Sequence, residues 1–344
     1  MWHTLKRWLG GLSSVARRLA LRLTFRPPGR WVEGSHVESH RRLLFFHLPQ
    51  LKRNYHLYLP GRYDAAKPWP LLVMLHGCKQ DALTFSSGTH MNQLADQQGF
   101  LVLYPEQRRL ANAYRCWNWF DSSAQQAGGE AALIAGMVRE VTATYTVDPG
   151  RVYIAGLSAG GAMTSIMASC YGHLFAACAV HSGLMYRAAE SVSEATKAMR
   201  QGSRASPENT ARQALAQKEF AFVPVIVIHG NKDETVNPVN ADQVVEQFMA
   251  MASLADGGNA AITEFTSSEH GGNRYPYEIR EYRRGDNLLL RKVLVEGLDH
   301  AWSGGNGEHP FNDPNGPDAS RMIWEFFTDF QRSGQKAPAA VVVD

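Results

Sequence analysis

The sequence predicts an α/β domain with a mostly parallel central sheet and helices on both faces. Two observations carry this. Near-continuous apolar runs at 70–75, 101–104, 152–154, 175–181 and 223–228 are too short for ordinary helices, lack polar alternation, and read as strands buried on both faces. Between them, 131–145, 162–170 and 240–251 carry apolar residues at helical spacing, and alternation of the two kinds of segment implies a parallel sheet. A chain of 344 residues with 44% hydrophobic and 19% charged residues can bury one large core, and α/β domains of this size are often single.

Taken in order, residues 1–30 form a basic amphipathic segment. Trp2, Leu5, Leu9, Leu12, Ala16, Leu19 and Leu23 recur near helical spacing beside Lys6, Arg7, Arg17, Arg18 and Arg22. Such a helix suits weak contact with an anionic membrane or a polymer-particle surface through residues 2–23; a loose tail and a helix docked on the body are the alternatives. It lacks the uninterrupted apolar stretch and cleavage site of a secretory signal and is too broken to span a bilayer. A cytoplasmic or surface-associated location is therefore open. One domain is expected over 31–335. It begins with alternating strands at 43–48 and 55–59, and Pro60-Gly61 supplies the following turn. The run at 70–75 ends in His76-Gly77-Cys78, and a loop at 114–120 concentrates aromatics, with Trp117 and Trp119 as candidate pocket walls. A polar, alanine-rich helical insertion is expected near 185–222 as a partial cap. Strands at 277–282 and 288–295 are joined by the turn sequence Arg284-Gly285-Asp286-Asn287. Trp302 follows in a glycine-bounded loop, a helix covers 319–331, and 336–344 reads as a loose tail.

The chemistry centres on Gly156-Leu157-Ser158-Ala159-Gly160, a G-x-S-x-G turn between a buried strand and a helix. Glycines flank the bend because a Cβ there would meet a neighbouring strand or helix. Ser158 then stands at a helix N-terminus, where free N–H groups favour developing negative charge. A serine hydroxyl is a weak nucleophile and needs a base. Of 13 histidines, His300 fits best, in a loop after the last strand; His76, His181 and His229 sit in turns they are suited to brace. Asp233 is the candidate acid, with Glu234 as rival and Asp299 disfavoured by its adjacency to His300. Ser158, Asp233 and His300 each follow a strand, and the order Ser, acid, His belongs to the α/β-hydrolase fold. The backbone N–H groups of Cys78 and Ala159 are the candidate oxyanion donors.

The net charge of +3 leaves no footprint for nucleic acid. Four cysteines, at 78, 116, 170 and 178, are too few and scattered for a disulfide scaffold or a zinc site, so no metal is expected, nor any organic cofactor. Cys170 and Cys178 read as buried thiols. A Cys78–Cys116 bridge is open in an oxidising compartment.

LHGCKQ at 75–80, YPEQ at 104–107, CWNWF at 116–120, GLSAGGAM at 156–163 and GLDHAWSGG at 297–305 together resemble the poly(3-hydroxybutyrate) depolymerase family of esterases. That family is similar to feruloyl and acetylxylan esterases. The resemblance spans about 43–327. It implies Ser158, Asp233 and His300 as a catalytic triad, Cys78 beside the oxyanion hole, and the Cys78–Cys116 bridge. The partner it implies is a small or oligomeric ester, with Trp117, Trp119 and Trp302 as candidate substrate contacts. Asn231 stands where family members often carry a further aspartate. Secreted polymer-degrading members append a linker and a polymer-binding domain, whereas this chain stops soon after Gln331, so soluble oligomers or short-chain esters are the expected substrates. A feruloyl or acetylxylan esterase, a serine peptidase on the same fold, and a catalytically silent surface-binding protein are the alternatives.

Overall fold

A computed structural model describes residues 28–38, 51–258, 260–269 and 272–332. The amphipathic segment at 1–27, the strand expected at 43–48 and the tail at 336–344 lie outside them. The centre is a ten-stranded sheet whose middle is the predicted parallel array. β3 (Trp69–Leu75), β4 (Leu101–Glu106), β5 (Val147–Leu157), β6 (Ala177–His181), β7 (Val225–Gly230) and β10 (Asn287–Val295) run in the order β4-β3-β5-β6-β7-β10. Antiparallel strands extend both ends: β2 (Leu51–Leu59) and β1 (Arg30–Glu38) beyond β4, and β9 (Tyr277–Arg284) and β8 (Thr263–Glu269) beyond β10. This is the α/β-hydrolase architecture expected from the sequence.

Period-two side-chain alternation divides the core into two layers. Leu71, Val73 and Leu75 face one layer with Val152 and Ile154, while Leu72 and Met74 face the other with Tyr153, Ala155 and Leu157. The first layer is covered by α4 (Gly129–Thr144), α5 (Ala159–Cys170) and α8 (Val239–Ala255); the second by α1 (Ala82–Thr89), α2 (Met91–Gln98) and α9 (Ala319–Thr328). Every residue of α5 is buried, and the hydroxyls of Thr164, Ser165 and Ser169 are satisfied within the helix by donating to the carbonyls four residues back. In α9, Ile323, Trp324, Phe326 and Phe327 form the inward face, with Trp324 stacked on Phe100 at 3.9 Å and Phe327 on Tyr153 at 4.8 Å.

The insertion between β6 and β7 contains α6 (Val192–Gln201) and α7 (Pro207–Leu215). Each starts at a serine whose hydroxyl accepts an N–H from the first turn. Elements not read from the sequence include β1, α1, α2 and β8. Among the described residues no helix is long and apolar enough to cross a membrane.

One buried polar network fixes the aromatic loop. Glu130, in the first turn of α4 after α3 (Ser122–Gln125), accepts from Arg53 at 3.0 Å, from the Asn118 backbone N–H at 2.8 Å and from the Asn118 side chain at 3.0 Å. Gln107 joins it, donating to Glu130 and to the Cys116 carbonyl and accepting from Arg53. Both ion-pair side chains are at least nine-tenths buried. Cys78 and Cys116 form a disulfide with a Cα separation of 4.2 Å, so the loop is tied covalently to the end of β3; Cys170 and Cys178 are free and buried.

Three outcomes follow. Glu130→Ala leaves Arg53 charged and unpaired in the core, so urea unfolding should show a loss of about 3–5 kcal/mol. Alkylation in denaturant without reductant should modify two thiols per chain, at Cys170 and Cys178, and mass spectrometry counts them. Reduction of the bridge, which spans 38 residues, should cost about 4 kcal/mol in the same unfolding assay.

Candidate active site

Ser158 links β5 to α5 with φ 58° and ψ −119°, a left-handed conformation that a side chain rarely adopts and that strains the turn. The flanking glycines are a steric requirement. A Cβ on Gly156 would lie 2.3 Å from the Gly160 carbonyl, and one on Gly160 would lie 2.1 Å from the Leu75 carbonyl oxygen. The helix therefore approaches both strands at backbone contact. The Ser158 N–H donates to the His181 carbonyl at 2.9 Å, and its own carbonyl accepts the Ala162 N–H at 2.9 Å. The hydroxyl has no hydrogen-bond partner among the described residues, and the residue is 8% exposed, so it stays reachable.

The turn after β3 abuts this elbow, with the Cβ position of Gly77 only 3.5 Å from Ser158 Cβ. Its shape is set by three hydrogen bonds: Gly77 N–H to Gln80 Oε1 at 2.9 Å, Lys79 N–H to the Tyr114 carbonyl at 2.6 Å, and Gln80 N–H to the Gly77 carbonyl at 3.4 Å. The N–H groups of Cys78 and Ala159 have no acceptor among the described residues. Buried N–H groups are normally paired, so two unpaired ones beside a reachable hydroxyl suit an oxyanion. His76 braces the turn, bonding the Gly77 carbonyl through Nδ1 at 2.8 Å and accepting the Gln107 N–H through Nε2 at 3.1 Å. Burial pushes its pKa down.

Asp233 and His300 meet across two loops, His300 Nδ1 to Asp233 Oδ2 at 2.7 Å. The other carboxylate oxygen accepts the Thr235 and Val236 N–H groups at 3.0 and 2.7 Å, which orients the acid before the imidazole arrives. Burial by itself raises the Asp233 pKa, but the adjacent His229 and His300 imidazoles outweigh it and hold the carboxyl well below the usual range. It stays ionised at neutral pH and selects the His300 tautomer with its proton on Nδ1. The loops are stitched together by Lys232 N–H to the Leu298 carbonyl at 3.0 Å and by Gly297 N–H to Asn231 Oδ1 at 2.8 Å. That hydrogen bond is the use this chain makes of Asn231, where an aspartate oxygen would serve equally.

The rival groups lie elsewhere. Glu234 is exposed, and Asp299 is exposed with its oxygen on the neighbouring His300 N–H at 2.7 Å. His229 is fully buried, with Nε2 bonded to the Val236 carbonyl at 2.8 Å and 3.4 Å from Asp233 Oδ2. His181 is fully buried, and its pKa is pushed down to about 3 by burial and then by the charges of His229 and His300. No hydrogen bond joins His300 to the Ser158 hydroxyl, and such contacts are commonly long in ligand-free sites.

The three tryptophans require correction as substrate contacts. Trp117 and Trp302 are fully buried and Trp119 is 5% exposed. Trp117 packs against His76 at 5.6 Å, and Trp302 stacks on His181 at 4.9 Å while donating to Ser320 at 3.1 Å. Large aromatic surfaces gain most when buried, and here they support the loops from behind. Sequence reasoning missed Glu130, although a carboxylate in the first turn of α4 beside an aromatic loop was its visible signal. A cavity of about 550 Å³ lies between α6 and α7, lined by Glu194, Lys197, Arg204 and Asn209 among others, and includes none of the Ser158, Asp233 or His300 groups. Among the described residues no cluster of three or more His, Cys, Asp or Glu side chains could hold a metal ion.

With this geometry in place, known proteins supply the wider context. Residues 53–270 match the family described as Esterase PHB depolymerase. Poly(3-hydroxyalkanoate) depolymerase C of Paucimonas lemoignei is 37% identical over 67% of this chain, and the match spans 54% of that protein, about half its length. Feruloyl esterase B of Neurospora crassa is 31% identical over 71% of this chain and 81% of its own. Among solved structures, an acetyl xylan esterase from Aspergillus awamori superposes with a TM-score of 0.65 at 21% identity, over 86% of this chain and 99% of that one, a likeness of fold. The family match covers more than half of the chain, and the chain belongs to the Esterase PHB depolymerase family.

Proposed function

We propose that this protein is a serine esterase that cleaves carboxylic esters through an acyl-enzyme on Ser158. The observation that carries the reading is the 2.7 Å His300–Asp233 hydrogen bond in a chain whose strained elbow leaves the Ser158 hydroxyl reachable. His300 Nε2 takes the hydroxyl proton as Ser158 Oγ attacks the ester carbonyl. The carbonyl oxygen, now negative, is held by the N–H groups of Cys78 and Ala159, each worth about 3 kcal/mol in the transition state. His300 then returns the proton to the departing alkoxide. A water molecule, deprotonated by His300, attacks the acyl carbon; the bond to Ser158 Oγ breaks, His300 returns the proton to that oxygen, and the acid is released. Asp233 remains ionised throughout and stabilises the imidazolium.

For the substrate, family membership and the depolymerase relative support hydroxyalkanoate esters: 3-hydroxybutyrate oligomers, polyester, or short-chain analogues. A feruloyl or acetylxylan esterase is the second reading, favoured by the larger share of the feruloyl esterase that the chain matches. We place catalysis in a single domain over 31–335, with the helices at 192–201 and 207–215 as a partial cap. Residues 2–23, outside the described structure, are proposed to hold the enzyme weakly on a particle or membrane surface. Deleting residues 1–26 should reduce partitioning onto polymer particles in a sedimentation assay while leaving turnover of soluble esters within about twofold.

A fluorophosphonate probe should label the wild-type protein once, at Ser158, and leave Ser158→Ala unlabelled. His300→Ala should lower kcat on a nitrophenyl ester by about 10⁴-fold or more, and Asp233→Asn by about 10⁴-fold because the imidazole tautomer is no longer fixed. Unlabelled wild type, or equal turnover by Ser158→Ala, would favour a non-catalytic surface-binding protein. Hydroxybutyrate oligomers, short-acyl nitrophenyl esters and methyl ferulate should be turned over in descending order; rapid ferulate release with inert oligomers would select the second reading.

A further inference from the structure

Buried at the end of β6, His181 touches both halves of the proposed catalytic apparatus. Its carbonyl accepts the Ser158 N–H at 2.9 Å, and its imidazole Nε2 accepts the Ser303 N–H at 3.2 Å. Ser303 lies three residues after His300. The ring is held in place by its stack on Trp302, at 4.9 Å and 21° between planes, and by Nδ1, which contacts Ser182 Oγ at 3.1 Å. Because Nε2 meets an N–H, the proton of the neutral ring sits on Nδ1 and is donated to Ser182. Ser182 itself has φ 47° and donates its N–H to the Ile228 carbonyl at 2.9 Å, so the bend that presents the ring is pinned to β7.

Other restraints on the His300 loop point elsewhere. Trp302 N–H and Gly304 N–H bond the Phe311 and Asp313 carbonyls, both at 2.8 Å, and Ser303 Oγ bonds the Pro317 carbonyl at 2.7 Å. These ties run to the segment after the loop, Lys232 ties it to the acid loop, and the Asn306 N–H ties its far end to the Gly88 carbonyl at 2.7 Å. None of these bonds ends on Ser158 or on β6. Ser303 is fully buried, so its N–H depends on the His181 acceptor.

We propose that His181 is a positioning residue that sets the distance between Ser158 Oγ and His300, holding the elbow through its carbonyl and the His300 loop through Nε2. This rests on the triad proposed above. The acceptor must be uncharged to accept an N–H, and burial keeps it so, reinforced by the charges of His229 and His300 against the opposing pull of Asp233, with its pKa pushed down to about 3. A phenylalanine would keep the stack and lose the acceptor. A glutamine would return an acceptor near the Nε2 position. An asparagine would place one near Nδ1, short of Ser303.

The test uses the full chain and a short-acyl nitrophenyl ester. His181→Phe should lower kcat about 10–100-fold, the scale set by a displacement near 1 Å at a reacting group, with KM within about twofold of wild type, since ester contacts are untouched. His181→Gln should recover kcat to within about fivefold of wild type. A His181→Phe protein with wild-type kcat, or a folded His181→Gln protein as impaired as His181→Phe, would overturn the proposal. Should the phenylalanine protein not fold, His181→Asn takes its place with the same two outcomes. Fluorophosphonate labelling of the wild type separates the two readings: failure of the triad removes labelling at Ser158, whereas failure of the His181 proposal leaves labelling intact and His181→Phe fully active.

Discussion

The backbone contact between β3, β5 and α5 at the Ser158 bend is the constraint on which the rest depends. Gly156 and Gly160 are spaced so that their missing side chains leave room for the Gly160 and Leu75 carbonyls. With these backbones in contact, the chain passes from strand to helix through a serine held at positive φ. The strain there, on the order of 1–3 kcal/mol for such a residue, persists because the fully buried α5 and the sheet beneath it leave the turn no room to relax. The Gly77 turn comes into reach for the same reason. A looser contact between β5 and α5 would release the strain and also separate the two unpaired N–H groups.

Behind the turn that follows β3 the chain uses polar burial rather than further apolar packing. Glu130 and Arg53, both nearly inaccessible, are tied to Gln107 and Asn118, and the disulfide ties the same loop to Cys78. A buried ion pair contributes little net stability compared with an apolar substitute, but it is costly to leave half-made. The loop is therefore held in one register. The tryptophans complete this support, which explains why side chains large enough to line a pocket are instead placed out of reach of one.

The middle of the sheet was legible because strands buried on both faces must be apolar at every position, and 70–75, 152–157 and 225–228 are. The G-x-S-x-G turn and the order Ser158, Asp233, His300 were readable as a pattern because each of the three residues follows a segment recognisable as a strand. The edges were not. β1 (RWVEGSHVE) mixes polar residues with a glycine, and α1 (ALTFSSGT) has small and hydroxyl residues where an apolar stripe was sought. Its capping box uses Asp81 and Thr84 rather than a glutamate. The tryptophans were misplaced because sequence shows only that a loop is aromatic, not which way its rings turn. His181 was readable as a brace of its own turn; that the same ring reaches a loop 122 residues away depends on tertiary geometry alone.

The strand order has a consequence at the far end of the molecule. β8 closes the sheet with all seven residues exposed, so one row of its peptide groups faces away from β9 with no strand beside it among the described residues. An open edge of this kind invites pairing with another chain. The sequence TEFTSSE counters that with Glu264 and Glu269 flanking a single large apolar residue, Phe265, so two such edges brought together in register would oppose like charges. Two carboxylates remote from Ser158 and His300 thus bear on how one folded molecule meets another along this edge.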